Sequence, residues 1–353
     1  MPSQSRFHRR DFLKVSGAGF AALSGGVWSQ LAAAESKSAN AKLNVACVGT
    51  ANRAAADVEG VQGENIVALC DVDKNYLDRA AARFPEARTY ADCREMIDKE
   101  TGKVDAVVVG TADHNHAPAA IRAIRAGMHV YVEKPLTHTV QEARLVAEAA
   151  KKHGVATQMG TQIHAGDNYR RVVEIIQSGV IGDVTEVHVW VGKGWGGGDR
   201  PEGGQEPPAN LNWDLWLAQV KWRDYHPDWI NRIAWRDTSI GELGNFGPHS
   251  ANMAFMGLKV HELWQAGADG APVRAVAECS DVNQISYPRW ERIHWEIPAR
   301  GPLPPVTFTW HHGYPPDYAL GTRSMLEGLL RDHGATDEEL KKFLWDTLNA
   351  GRV

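Results

Sequence analysis

Short apolar segments alternate with segments of helical period from residue 43 onward, and this alternation limits the possible folds most. The apolar segments have the length of strands, and short connections join them to the helical segments. This order predicts a parallel, doubly wound α/β sheet, because a parallel strand reaches its neighbour only through a crossover connection. The predicted strands are 43–48, 66–70, 106–109, 130–132 and 156–159, and the predicted helices are 54–61, 74–83, 91–99, 117–126 and 140–152.

The turn after the first predicted strand is typical of a dinucleotide site. The pattern G-x-G-x-x-G/A places backbone N–H groups at a helix start, where they bind a pyrophosphate. Here the second glycine of the pattern is Ala51. We expect Arg53 to pair with a phosphate and so to offset the extra methyl group. The residues expected to approach the cofactor in this turn are Gly49, Thr50, Ala51, Asn52 and Arg53.

Asp71 ends the second predicted strand, 22 residues after Gly49. A carboxylate at this position accepts hydrogen bonds from a ribose 2′-hydroxyl and repels a 2′-phosphate. The sequence therefore favours NAD over NADP as the cofactor. The alternative is an ordinary βαβ unit whose aspartate is only solvated.

A lysine closes the strand predicted at 130–132, in the tripeptide Glu133-Lys134-Pro135. At the carboxyl end of a strand, Lys134 faces the crevice where open α/β sheets bind ligands. Its ammonium group can donate a proton or, with a lowered pKa, accept one. Strands at a protein surface also often end in a charged residue followed by proline. The tripeptide is therefore evidence for a ligand site only together with the motifs that precede it.

Residues 1–34 have the organisation of an export signal rather than of a folded element. Arg9 and Arg10 begin a twin-arginine pattern, and a small, apolar run follows at 15–27. The run Ala32-Ala33-Ala34 supplies a cleavage site. We expect an exported, periplasmic protein whose mature chain starts near Glu35. Because this pathway carries folded proteins, it also suggests a tightly held cofactor.

Charge, cysteine and histidine content argue against several other classes. The net charge is −5 without a basic stripe, which disfavours nucleic acid as a partner. The four cysteines have neither zinc nor redox spacing, and the close histidine pairs lack the spacing of a metal site, so we predict no metal. Seven of the thirteen tryptophans lie between Trp190 and Trp235. Their flat faces suit sugar rings, but packing in a large sheet is an equal alternative.

Taken together, the motifs resemble the Gfo/Idh/MocA oxidoreductase family, and more narrowly its exported bacterial branch. The resemblance runs from about residue 42 to 259. It rests on the order of Gly49, Asp71, the segment 113–118, Glu133-Lys134-Pro135, the segment 158–162 and the segment 211–217. It implies an NAD-binding Rossmann domain at 42–160. A substrate and oligomerisation α/β domain with a large open, mainly antiparallel sheet would follow at 161–353.

The resemblance also implies roles for individual residues. Lys134 would handle the hydroxyl proton of the substrate or orient it, with Glu133 beside it at the cofactor. Thr111 and His116 would lie near the cofactor, and Gln162 would approach the nicotinamide.

The second catalytic motif of the family is an aspartate followed four residues later by a histidine on a helix. His249 occupies the histidine position, but Asn245 stands where the aspartate is usual. At helical spacing the two side chains share one face. Asparagine can bind a sugar hydroxyl but cannot act as a base, so acid–base chemistry would fall to Lys134 and His249. A partly buried, purely structural His249 is the alternative.

The last third departs from the family pattern. Helical periods at 320–330 and 337–348 stand where the branch usually adds strands, so the second domain is expected to be shortened. The glycine- and proline-rich stretch 192–210 is predicted to be a loop. It either covers the substrate with Trp195 or only connects two elements.

Three functions remain open from the sequence. The leading one is hydride transfer between NAD and a hydroxyl-bearing carbon of a sugar, sugar acid or cyclitol, by a homo-oligomer. The second is a redox-neutral glycoside hydrolase or lyase that uses the same cofactor. The third is a sugar- or cofactor-binding protein without catalysis, which Ala51, Asn245 and the short C-terminal part favour.

Overall fold

A six-stranded parallel sheet forms the first half of the part that the computed structural model describes, which is residues 41–192, 195–265, 271–313, 330–331 and 334–340. The strand order is β3-β2-β1-β4-β5-β6. The strands are β1 Asn44–Val48, β2 Asn65–Cys70, β3 Arg88–Tyr90, β4 Ala106–Val109, β5 His129–Glu133 and β6 Thr157–Gly160.

Helices connect these strands and cover both faces of the sheet. They are α1 Arg53–Gly60, α2 Lys74–Arg83, α3 Cys93–Glu100, α4 His116–Arg125 and α5 Val140–His153. One apolar cluster packs α3 and α4 against one face, and a second packs α1 and α2 against the other. The strand order reverses between β1 and β4, and the crevice at such a switch point is where open α/β sheets bind ligands.

The predicted elements of this half are all present, with ends shifted by at most two residues. A capping box begins α5, because Thr139 and Glu142 each accept a backbone N–H of the other. Strand β3 is an addition, since its three residues are too short to show a period. The α/β Rossmann fold is therefore confirmed.

A second, four-stranded sheet follows in the order β7-β10-β9-β8. Its strands are β7 Glu186–Val191, β8 Arg274–Cys279, β9 Glu291–Ile297 and β10 Val306–His312. β10 pairs parallel with β7 and antiparallel with β9, and β8 pairs antiparallel with β9. The sheet is thus mixed and mainly antiparallel, as expected, and its core is built around the fully buried Trp310.

Five further α-helices lie in the described part of residues 167–265. They are α6 Asp167–Gln177, α7 Trp213–Leu217, α8 Gly241–Ser250, α9 Asn252–Gly257 and α10 Glu262–Gln265. The helices α6, α8, α9 and α10 pack against this second sheet, whereas α7 belongs to a separate aromatic cluster. The described residues of the predicted loop, 195–210, contain no helix or strand. All described residues from Lys42 onward belong to one compact unit.

Some predictions fall wholly or partly outside the described residues. The export signal at 1–34 lies there, as do 320–329 and 341–348 of the two C-terminal helices. Residues 330–331 and 337–340 are helical, as expected. None of the helices among the described residues is both long and apolar enough to cross a membrane.

Candidate active site

The turn between β1 and α1 needs glycine at its first position. Gly49 has a φ of +89°, and a Cβ there would lie 2.8 Å from the carbonyl oxygen of Gly110 at the end of β4. A Cβ on Gly110 would in turn lie 2.7 Å from the Cβ of Ala54. Ala54, the last residue of the G-x-G-x-x-G/A pattern, therefore fits because the residue that faces it is a glycine. The two turns pack closely and shape the crevice together.

The start of α1 is free to receive an anion. Asn52 has a φ of +54°, the helix has no side-chain cap, and its first turn holds no acidic residue. The first N–H groups of a helix have no partner within it, and they carry a partial positive charge. This geometry fits a pyrophosphate, and the effect of the Ala51 methyl group on its binding remains a prediction.

Asp71 fastens the glycine turn to the end of β2. Its Oδ2 accepts hydrogen bonds of 2.9 Å from both the backbone N–H and the hydroxyl of Thr50. Its Oδ1 accepts the backbone N–H of Asp73 over 3.0 Å. Burial raises the pKa of Asp71, and these hydrogen bonds oppose that shift. Contact with a cofactor ribose remains a prediction for this carboxylate.

Arg53 lies between two buried carboxylates. Its guanidinium donates to Asp57 over 2.7 Å and to Glu133 over 3.1 Å. The second oxygen of each carboxylate, Oδ2 of Asp57 and Oε2 of Glu133, has no hydrogen-bond partner among the described residues. Burial and the neighbouring Asp57 raise the pKa of Glu133, and Arg53 opposes the rise. A phosphate would therefore have to share Arg53 with these carboxylates, and the predicted phosphate contact remains a prediction.

A cavity of about 1160 Å³ opens above the glycine turn. This volume suits an extended dinucleotide, since pockets for smaller ligands measure roughly 300–1,000 Å³. The predicted site residues that line this cavity are Gly49, Thr50, Ala51, Asn52, Arg53, Asp71 and Thr111. Residues from the second half of the chain also line the cavity, among them Leu211, Leu215 and Trp216.

His116 is not among the residues that line this cavity in the described part of the chain. It is fully buried, with Nδ1 2.6 Å from the carbonyl oxygen of Pro135 and Nε2 3.0 Å from that of Thr111. Burial lowers its pKa. The peptide bond between Lys134 and Pro135 is cis. In the structure His116 links the turns that follow β4 and β5.

Lys134 contacts the helix that carries the second predicted motif. Its Nζ donates to the backbone oxygen of Asn245 over 3.0 Å and also to the side-chain oxygen Oδ1 of the same residue. The Nζ also lies 5.9 Å from the ring centroid of Phe246. Burial lowers the pKa of Lys134. The amine is therefore easier to deprotonate than that of a solvated lysine.

His249 lies one helical turn after Asn245 on α8, as the spacing predicted. Burial and the nearby Lys134 lower its pKa to about 4, although a hydrogen bond to the backbone of Gln162 opposes the shift. The imidazole is therefore neutral near pH 7. The fold thus brings Lys134, Asn245, His249 and the backbone of Gln162 together.

Two further features belong to this region. Trp195 lies 5.6 Å from Phe246, ring centroid to ring centroid, so the loop that carries it reaches the surroundings of Lys134. Behind the site, the buried Asp113 accepts hydrogen bonds from Arg232 and from Ser239. No local pattern marks these long-range contacts. Most of the other tryptophans in the cluster are packing residues, with Trp213, Trp229 and Trp235 buried in one core.

Comparison with known proteins extends these observations. Residues 43–161 match the profile of GFO_IDH_MocA, the oxidoreductase family with an NAD-binding Rossmann fold. An inositol 2-dehydrogenase of Salmonella typhimurium is 32% identical over 130 residues, which are 36% of this chain and 38% of that protein. A glycosyl hydrolase family 109 protein of Shewanella putrefaciens is 27% identical over 204 residues, 50% of this chain and 44% of that protein. The chain therefore matches less than half the length of these curated relatives.

Among solved structures, GenD2 from gentamicin A biosynthesis, in complex with NAD, has a similar fold. The TM-score is 0.55 at 21% identity, over 77% of this chain and 66% of that chain. The WlbA dehydrogenase of Bordetella pertussis gives a TM-score of 0.51 at 19% identity, over 78% and 67% of the two chains. These similarities support the fold beyond the Rossmann domain.

Proposed function

We propose that this chain, whose residues 43–161 belong to the Gfo/Idh/MocA oxidoreductase family, is an NAD-dependent oxidoreductase that acts on a sugar, sugar acid or cyclitol. The inositol dehydrogenases among the relatives support the substrate class. The homo-oligomer that the resemblance implies is part of this proposal.

The contact between Lys134 and Asn245 carries the proposal. It joins the carboxyl end of β5 to α8, so that one amine, one amide and one neutral imidazole converge beside the dinucleotide crevice. Such a set can orient a hydroxyl and take its proton. A lowered pKa makes the neutral amine of Lys134 available to act as a general base.

The residues divide the chemistry as follows. When bound, NAD⁺ supplies the hydride acceptor. Lys134, with its lowered pKa, accepts the proton of the substrate hydroxyl as the carbon that bears this hydroxyl is oxidised. Neutral His249 accepts a hydrogen bond from a hydroxyl, and the amide of Asn245 holds Lys134 in place. Glu133 fixes Arg53 at the start of α1.

Export through the twin-arginine pathway belongs to the same proposal. The paired arginines Arg9 and Arg10, the apolar run and the small residues at 32–34 support it. Replacing both arginines with lysine should retain the protein in the cytoplasm. Cell fractionation of the two forms measures this, and equal export would contradict it.

A redox-neutral glycoside hydrolase is the second candidate. The glycosyl hydrolase family 109 relatives favour it, since their match covers about half of this chain and reaches beyond the Rossmann domain. Such an enzyme would oxidise a ring carbon, eliminate the substituent and reduce the carbon again. Release of an aglycone without any external electron acceptor would distinguish it from a net oxidoreductase.

Turnover on a substrate panel tests the proposal. The panel contains myo-inositol, hexoses, hexuronic acids and aryl glycosides, each supplied with NAD⁺. Lys134→Ala should lose at least about a hundredfold in kcat on the active compound, because a positioned acid or base contributes that much or more. Lys151→Ala, at an exposed position near the end of α5, is the matched control. Equal turnover by both variants would contradict the role of Lys134.

A further inference from the structure

A segment from the second half of the chain crosses the dinucleotide crevice. It comprises residues 208–219, and we call it the strap. Eight of its residues line the cavity above the glycine turn. They are Pro208, Asn210, Leu211, Asp214, Leu215, Trp216, Ala218 and Gln219.

The first end of the strap is tied to the turn after β2. The backbone N–H of Lys74 donates to the carbonyl oxygen of Asn210 over 2.8 Å, and that of Asn212 donates to Val72 over 2.9 Å. Asp73 and Leu211 form an isolated antiparallel bridge. The side-chain amide of Asn210 also donates to Asp73 over 2.8 Å. A short two-stranded ladder thus holds this end.

The second end is tied to the turn after β4. Nε2 of His114 lies 2.9 Å from the carbonyl oxygen of Trp216, and the side-chain amide of Gln219 donates to the carbonyl oxygen of His114. The rings of His114 and Trp216 are 5.2 Å apart. His114 is itself buried, so this anchor rests on the Rossmann domain rather than on a surface loop.

The strand order shows what lies between the two anchors. β2 and β4 are the neighbours of β1 in the sheet, one on each side. A segment fixed at the carboxyl ends of both must therefore pass over the carboxyl end of β1. That is where the glycine turn is found, and the cavity lies between it and the strap.

The strap is a structured element. Asn212 caps the short helix α7 by accepting the backbone N–H of Leu215 over 3.0 Å. Trp213 and Leu217 are buried in a core cluster, and the indole N–H of Trp213 donates to the carbonyl oxygen of Arg223 over 2.8 Å. The strap is therefore anchored at both ends and packed from behind.

We propose that the strap closes over the adenosine half of the bound cofactor and makes it a resident group that exchanges slowly with free NAD. This inference rests on the proposed function. The adenosine half is assigned because the first anchor, at Val72 and Asp73, directly follows the expected ribose acceptor Asp71. The cavity wall there is completed by Tyr76 and Arg94. A dinucleotide beneath the strap leaves only after both anchors open.

A pulse–chase measurement of nucleotide release tests the proposal. The purified protein is loaded with isotope-labelled NAD⁺ and chased with a large excess of unlabelled NAD⁺, and mass spectrometry follows the label that stays bound. Asn210→Ala removes a side-chain bond at the first anchor, and Gln219→Ala removes one at the second. Gln205→Ala is the control, because Gln205 is exposed and does not line the cavity.

Each strap variant should release label about fivefold faster than the wild type, as expected for the loss of one hydrogen bond. The double variant should be about 25-fold faster, because the two sites are independent and both anchors must open. Gln205→Ala should match the wild type. On adding NAD⁺ to the wild type, hydrogen exchange at the Lys74 and Asn212 amides should slow.

Other results would overturn the proposal. Label release at the wild-type rate from a double variant with an unchanged melting temperature would show that the strap does not retain the cofactor. Stronger NAD⁺ binding by the variants would show that the strap blocks the crevice. If no form binds NAD⁺ or NADP⁺, the proposed function fails as well, and this result is distinct from rapid exchange of a bound nucleotide.

Discussion

Lys134 and Asn245 are 111 positions apart in the chain, and the Nζ of the first donates to the backbone oxygen of the second over 3.0 Å. Lys134 directly follows β5, and Asn245 lies on α8, so the contact joins the carboxyl end of β5 to this helix. It places an amide where the family pattern has an aspartate. The partner of Lys134 is therefore neutral, which leaves burial as the main influence on the pKa of the lysine.

Restoring the aspartate should shift the pH dependence of the reaction. In Asn245→Asp a carboxylate would face Lys134, and an opposite charge at this distance raises the pKa of the ammonium by roughly 1–3 units. Substrate oxidation needs the neutral amine, so its alkaline rise should move to higher pH. The pH profile of kcat/KM for both forms measures the shift. An unchanged profile would mean that Lys134 is not the titrating base.

His249 should contribute no titration near neutral pH. Burial and Lys134 lower its pKa to about 4, from the ordinary value of 6.5, so that the imidazole stays neutral from pH 5 upward. A lowered pKa in the folded state also means that stability present above pH 6.5 is lost as the pH falls toward 4. The melting temperature of the wild type should therefore decline over that interval, and less so in His249→Gln. An activity step near pH 6.5 that disappears in His249→Gln would contradict this.

Alanine at Gly49 should destabilise the protein and weaken NAD binding. The new Cβ would lie 2.8 Å from the backbone oxygen of Gly110, in a backbone conformation that alanine rarely adopts. We expect a loss of roughly 1–3 kcal/mol in the free energy of unfolding. Gly60→Ala is the matched control. Gly60 lies at the C-terminal end of α1, and a Cβ there meets nothing within 4 Å. Denaturant titration compares them, and equal stability of the two variants would argue against the close packing of the turns.

Removal of Arg53 should make stability more sensitive to pH. Without the guanidinium, the pKa of Glu133, already raised by burial and by Asp57, should rise further. A raised pKa in the folded state gives stability that is full at low pH and is lost as the pH rises through it. Arg53→Ala should therefore cost roughly 1–3 kcal/mol at pH 7 and less at pH 4.5.

The control for that measurement is an exposed ion pair. Lys99 pairs with Glu95 on the surface of α3, so Lys99→Ala should leave the stability nearly unchanged at either pH. Thermal unfolding of the three forms at the two pH values provides the comparison. A loss for Arg53→Ala that is equal at both pH values would show that the two carboxylates do not depend on the guanidinium.

The sequence was most informative where the signal is local. The strands and helices of the Rossmann domain follow from their hydrophobic period, and the family resemblance implied the helix on which the four-residue spacing of Asn245 and His249 gives them a shared face. β3 was missed because three residues carry no period. The sequence did not show which tryptophans between Trp190 and Trp235 are buried. Trp195 is exposed and Trp213 is buried, although both belong to the same tryptophan-rich segment.

The long-range partners could not be predicted. Arg53 looked like a phosphate ligand, but in the fold it also faces Asp57 and Glu133, and Glu133 is 80 positions away. His116 was expected near the cofactor because of its place in the motif, and this remains a prediction. Its side chain points to two backbone oxygens that only the folded turns bring to it. The strap depends on contacts between Asn210 and the turn after β2, more than 130 positions earlier.

A single-turnover experiment tests the central claim most directly. The protein is loaded with NAD⁺, separated from free nucleotide, and mixed with the sugar and cyclitol panel while the absorbance of reduced nicotinamide is followed. The account predicts that at least one compound produces a rapid rise with an amplitude near one reduced cofactor per chain, and that Lys134→Ala slows it by about a hundredfold or more. Saturable binding of a sugar to the NAD⁺-loaded wild type, without any reduction or bond cleavage, would contradict the account.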